Sequence, residues 1–85
     1  MPDAFIWYRA SENLEPELLH WLDEVEDQAG VRGKLLVRKD KNTSTFMETY
    51  ADVSSATITR IEKMATHEPL FDNIERRCES FIEIG

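Results

Sequence analysis

Cysteine is almost missing from this chain of 85 residues. Cys78 stands alone, which excludes an intrachain disulfide and a cysteine-built metal cage. Glycine is scarce too: Gly30, Gly33 and Gly85 are too scattered to form a loop that cradles phosphate. No apolar run approaches the roughly 20 residues needed to span a bilayer, so no membrane partner is expected. The opening "MPDAFIWYRA" lacks the basic-then-apolar order of a signal peptide, and the expected location is the cytoplasm. "NTS" at Asn42 matches the glycosylation acceptor pattern by chance in that setting. Histidine occurs only as His20 and His67, with no HxxxH, HxxE or Cys–His spacing, so neither a metal nor another cofactor is expected. Positive charge is short: 10 Lys and Arg face 17 Asp and Glu, a net charge of −7. That balance argues against nucleic acid as the main partner, because phosphate contacts need a basic surface.

What is present points to a single domain over residues 1–85. A chain this short buries only about 60–65% of its unfolded surface, so the core is small. Charge is unevenly placed. Residues 12–27 hold seven acidic residues and no Lys or Arg, whereas residues 32–41 hold Arg32, Lys34, Arg38, Lys39 and Lys41 against Asp40. This describes an acidic solvated helix beside a basic hairpin.

"AFIWYRA" at 4–10 alternates as a strand. Pro16 starts a helix, Leu18, Leu22, Val25 and Ala29 give it a buried stripe, and Gly30 ends it. The acidic residues near its C-terminus oppose the helix dipole, and Arg32 or Lys34 is placed to compensate. "GKLLVRK" at 33–39 and "TFMETYADV" at 45–53 read as a hairpin joined by "DKNTS". Ser54 or Ser55 caps a second helix carrying Ile58, Ile61 and Ala65. "LFDNIE" reads as a turn or short helical piece, and "CESFIEI" at 78–84 as the last strand. The order β-α-β-β-α-β predicts a ferredoxin-like α+β domain: a four-stranded antiparallel sheet with two helices on one face.

Both faces of that sheet carry bulk. Alternation predicts Ala4, Ile6, Tyr8, Leu35, Val37, Met47, Thr49, Ala51, Val53, Ile82 and Ile84 beneath the helices. It predicts Phe5, Trp7, Arg9, Leu36, Arg38, Phe46, Glu48, Tyr50 and Phe81 on the open side. Each aromatic buried contributes about 1.5–3 kcal/mol, so a bare aromatic face implies a partner. A second copy presenting the same patch about a two-fold axis is the simplest one, and a homodimer is expected.

Sheet-to-sheet pairing of this kind resembles the dimeric α+β barrel superfamily, which includes antibiotic-biosynthesis-type monooxygenases. "YR" near the start, "GKLLVRKD" and "TFMETYADV" are also similar to a small bacterial family, domain of unknown function 4936. Arg38, Asp40, Met47, Glu48 and Tyr50 fall on its pattern, with Phe46 where that family carries Trp. The resemblance spans nearly the whole chain and implies the fold. That family has no assigned activity.

Trp7, Arg9, Arg38, Glu48 and Tyr50 form the candidate ligand site. Arginine forks bind carboxylates or phosphates, so a small anionic ligand is the expected partner. Glu48 as a general base and Tyr50 as an orienting group are the catalytic candidates. The competing structural reading pairs Glu48 with Arg9 or Arg38 across strands, without a ligand. His20 reads as a surface residue, Trp21 as packing on the first helix, and Cys78 as a buried inert thiol. The function expected is a homodimeric small-molecule-binding or regulatory domain. The alternative implied by the barrel resemblance is a cofactor-independent monooxygenase or isomerase, and a purely structural module with a filled interior is the third reading.

Overall fold

The computed structural model describes residues 1–85. The elements run β1 (Asp3–Ala10), α1 (Glu15–Ala29), β2 (Lys34–Lys39), β3 (Ser44–Tyr50), α2 (Ser55–Thr66) and β4 (Arg77–Phe81). Short 3-10 turns occupy Glu12–Leu14 and Pro69–Phe71. The strands form one sheet in the order β2-β3-β1-β4, antiparallel throughout. This is the ferredoxin-like α+β fold read from the sequence.

The local signals act as expected at both helices. α1 carries Pro16 in its first turn and ends at Gly30, whose φ of 74° is the left-handed cap that glycine adopts without strain. Arg32 answers the misplaced acidic charge by donating to Asp23 at 2.6 Å, with Glu26 at 3.5 Å. Ser54 caps α2, its hydroxyl accepting from the Thr57 amide at 3.1 Å. Leu18, Trp21, Leu22 and Val25 of α1 and Ile61 and Ala65 of α2 are buried against the sheet.

On the sheet, Ala4, Ile6, Tyr8 and Ala10 of β1 are buried together with Ser44, Phe46, Glu48 and Tyr50 of β3. The register sets Tyr50 opposite Ala4, Glu48 opposite Ile6, and Phe46 opposite Tyr8. The phase expected for β3 is therefore reversed: Phe46, Glu48 and Tyr50 lie under the helices, and Met47 and Thr49 lie on the open side. The physical reason is that residues at i and i+2 share a face, so burying two large aromatics buries the acid between them. That is tolerable only because a cation and several donors meet it from other elements.

Three smaller corrections follow the same backbone. β3 stops at Tyr50, and the chain turns at Asp52, whose φ of 54° is held by a hydrogen bond from its amide to Asp3 at 2.8 Å. Ala51 is thus exposed in the turn, while Val53 still reaches the core. β4 ends at Phe81, so Ile82 and Ile84 are not beneath the helices but 72% and 98% exposed. Cys78 is exposed on β4, an edge strand, rather than buried.

Candidate functional site

The open face is built in rows by strand register. Leu36, Met47 and Trp7 lie side by side across β2, β3 and β1, followed by Arg77 on β4. Arg38, Thr45 and Arg9 form the next row, which places the two arginine backbones about 10 Å apart, two strand spacings. On the other side of the apolar row stand Lys34, Thr49, Phe5 and Glu79. Phe5 meets Phe81 edge-on, with ring centroids 5.5 Å apart. Leu36 and Phe81 remain 53% and 56% exposed, and Phe5, Trp7 and Met47 are half-buried by their neighbours alone.

The arginines at this face are weakly engaged. Arg9 donates to the Thr43 hydroxyl at 2.6 Å, and Arg38 donates to the Thr45 hydroxyl at 3.4 Å. The Arg38 Nε lies 3.9 Å from Asp40 in an exposed pair, a contact worth little in water. Of the five residues singled out in the sequence, Trp7, Arg9 and Arg38 occupy adjacent rows of one surface. Glu48 and Tyr50 lie across the sheet from them and do not join that group.

Glu48 instead anchors a buried hub. It has no solvent exposure, and its carboxylate accepts from Tyr8 at 2.7 Å, Tyr50 at 2.7 Å and Trp21 at 3.1 Å. Arg76, just before β4, grips the same carboxylate through both terminal nitrogens at 2.7 and 3.4 Å and reaches Glu62 of α2 at 2.9 Å. Its guanidinium sits over the rings of Phe71 at 4.3 Å, Tyr8 at 5.3 Å and Trp21 at 5.6 Å. Arg76 Nε is the one buried side-chain polar atom left without a hydrogen-bond partner.

Burial, then the charge of Glu48, pushes the phenols of Tyr8 and Tyr50 far above their ordinary range. For Arg76 burial alone would loosen the proton, but Glu48 and Glu62 outweigh it and hold the cation more firmly. Cys78 is raised by partial desolvation and then by Glu62, so its thiol stays protonated rather than nucleophilic. A carboxylate with five donors has no lone pair to offer a substrate. This chemistry is that of a rivet between sheet and helices.

Sequence reasoning missed Tyr8, Trp21, Phe71 and Arg76 as members of one cluster. The one conditional signal was that Glu48 stands two residues from each of two large aromatics on β3, so turning those aromatics inward requires a buried counter-charge. Arg76 immediately precedes, and Arg77 opens, the only other strand that pairs with β1. His20 is exposed as expected and lies 3.3 Å from Glu24, whereas His67 caps the end of α2. No cluster of three potential metal ligands exists, and no helix is long and apolar enough to cross a membrane.

The architecture defines the class of protein: a ferredoxin-like α+β domain. No protein-family model matches the chain, and no curated protein matches it either. Among solved structures it is similar to the de novo designed protein Foldit4, at TM-score 0.75 and 17% identity over 98% of each chain. It is also similar to a Thermus thermophilus protein assigned to PII-like signalling, at TM-score 0.62 and 15% identity over 95% of this chain and 87% of that one. A Deinococcus radiodurans protein assigned to antibiotic-biosynthesis monooxygenases superposes at TM-score 0.52 and 16% identity, over all of this chain and 93% of that one. At such identities the likeness is one of fold.

Proposed function

We propose that this chain is a homodimeric binding domain whose two copies meet through their open sheet faces, with Trp7, Arg9 and Arg38 as the residues that contact a small anionic ligand. The observation that carries the reading is the uncovered row Leu36–Met47–Trp7, extended by Phe5 and Phe81. Both helices lie on the other side of the sheet; Phe5, Trp7 and Met47 are only partly covered, by their strand neighbours, and Leu36 and Phe81 stay more than half exposed. The assembly buries a patch that a monomer would leave wet.

A cytoplasmic setting fits a chain with one thiol and no apolar segment of membrane length. Kinship with domain of unknown function 4936 is proposed on "GKLLVRKD" and "TFMETYADV" alone. The barrel-type monooxygenase or isomerase reading needed Glu48 or Tyr50 beside Arg9 and Arg38. The sheet separates them, so the binding reading is preferred.

Multi-angle light scattering at micromolar concentration tests the assembly. The wild type is expected at twice the 9.9 kDa chain mass. Met47→Glu, which sets a charge in the middle of the apolar row, is expected at the single-chain mass with unchanged far-UV circular dichroism. A wild type that runs as a monomer refutes the reading.

A further inference from the structure

The open face has the opposite charge balance to the rest of the chain. Arg9, Lys34, Arg38 and Arg77 stand on it against Asp3 and Glu79, although the whole chain carries −7. Arg77 is drawn toward Glu75 at 3.2 Å and Arg38 toward Asp40 at 3.9 Å, both as exposed pairs that screen little. Arg9 has only a hydroxyl partner, and Lys34 is exposed. Two copies meeting through this face would oppose basic surface to basic surface, which disfavours association. The apolar row favours contact and the arginine row resists it. An occupant that resolves both must be flat and apolar on one side and anionic at one end.

We propose that the open face binds an aromatic anion, its ring on Trp7, Met47 and Leu36 and its acidic group between Arg9 and Arg38, and that this ligand tightens the homodimer. The inference rests on the dimer reading above and names what that dimer holds. Guanidinium forks match carboxylate, sulfonate or phosphate oxygens. The Thr45 hydroxyl lies between the two arginines as a further donor. Trp7 offers a stacking surface and Met47 a polarizable neighbour. Binding and dimerisation are then linked reciprocally, each favouring the other.

The test is sedimentation equilibrium of the full chain with 2-naphthoate as the probe, neutral 2-naphthol and inorganic phosphate as controls, and Arg9→Gln/Arg38→Gln as the variant. Both arginines are exposed or hydroxyl-bonded, so the variant is expected to fold, and circular dichroism verifies that. Saturating 2-naphthoate is expected to lower the dimer dissociation constant about tenfold or more, the size of a typical linkage. Each control is expected to do less. The double variant is expected to dimerise more tightly than the wild type without ligand and to lose the response to 2-naphthoate. A wild-type dimer indifferent to 2-naphthoate, or a variant that responds equally, overturns this inference and leaves the dimer standing. A response to phosphate as large as that to 2-naphthoate overturns the aromatic part. A wild type that is monomeric without ligand overturns the dimer reading itself.

Discussion

Replacing Glu48 with Gln isolates the charge at the centre of the hub while keeping its shape. The carboxylate Oε2 accepts from Tyr8 and Arg76 at 2.7 Å each, and Oε1 accepts from Tyr50 at 2.7 Å and Trp21 at 3.1 Å. An amide group on either side turns one acceptor into a donor. A phenol can rotate to accept from it, but the Arg76 guanidinium cannot, because it has no acceptor. Arg76 is then a buried cation with only Glu62 beside it, and Glu62 is itself a third exposed. Breaking one side of a buried pair costs about 3–5 kcal/mol, and the remaining contact to Glu62 places Glu48→Gln near the lower end. A domain of this length has a total stability of about 4–13 kcal/mol, so the loss is a large share. With a urea m-value of about 1 kcal/mol/M, the unfolding midpoint falls by about 3 M. Urea titration by circular dichroism at matched protein concentration reads it, since dimerisation also contributes. Adding Arg76→Met removes the stranded cation, so the double variant is expected to be more stable than the two single losses summed would allow. A Glu48→Gln loss below about 1 kcal/mol, or strict additivity with Arg76→Met, refutes the view of a charge-paired rivet.

The tyrosines give a second check. Tyr8 and Tyr50 are the only two, and both have raised pKa values, so the folded state keeps protons that the unfolded state releases above pH of about 10. Stability is therefore intact below that pH and falls as pH rises beyond it. Tyrosinate absorbance at 295 nm should appear only together with loss of circular dichroism, and titration near pH 10 in a folded chain would contradict the hub. Gly33→Ala is expected to destabilise by about 1–3 kcal/mol, because a Cβ there would lie 2.9 Å from Cδ1 of the Tyr50 ring. Thermal melting reads that loss, and an unchanged midpoint would show that the ring yields freely.

The sequence carried the architecture well because its punctuation is local. Pro16, Gly30 and Ser54 each act within one turn of where they stand, and their effects need no knowledge of the rest of the chain. The faces of β1 were legible for the same reason: Ile6 and Tyr8 against Trp7 and Arg9 is a choice that alternation makes. On the edge strand β2, Leu35 packs against the core as expected, but Val37 stays 43% exposed. β3 was not legible. Its inward set contains an acid, and whether that set goes in depends on Arg76, which is 28 residues from Glu48 along the chain. Hydrophobicity read along one strand puts Glu48 outside, and only the tertiary counter-charge reverses it. The candidate site divided accordingly. Trp7, Arg9 and Arg38 hold their places on the open face, while Glu48 and Tyr50 belong to the core. β4 was overextended because Ile82 and Ile84 continue the alternation after the pairing with β1 ends at Phe81.

An isotope-filtered nuclear Overhauser experiment on a mixture of labelled and unlabelled chains examines the open face itself. Cross-peaks between the Met47 methyl group of one copy and side-chain protons of the other are expected. A sample in which that methyl shows only contacts within its own chain would contradict a face closed by a second copy.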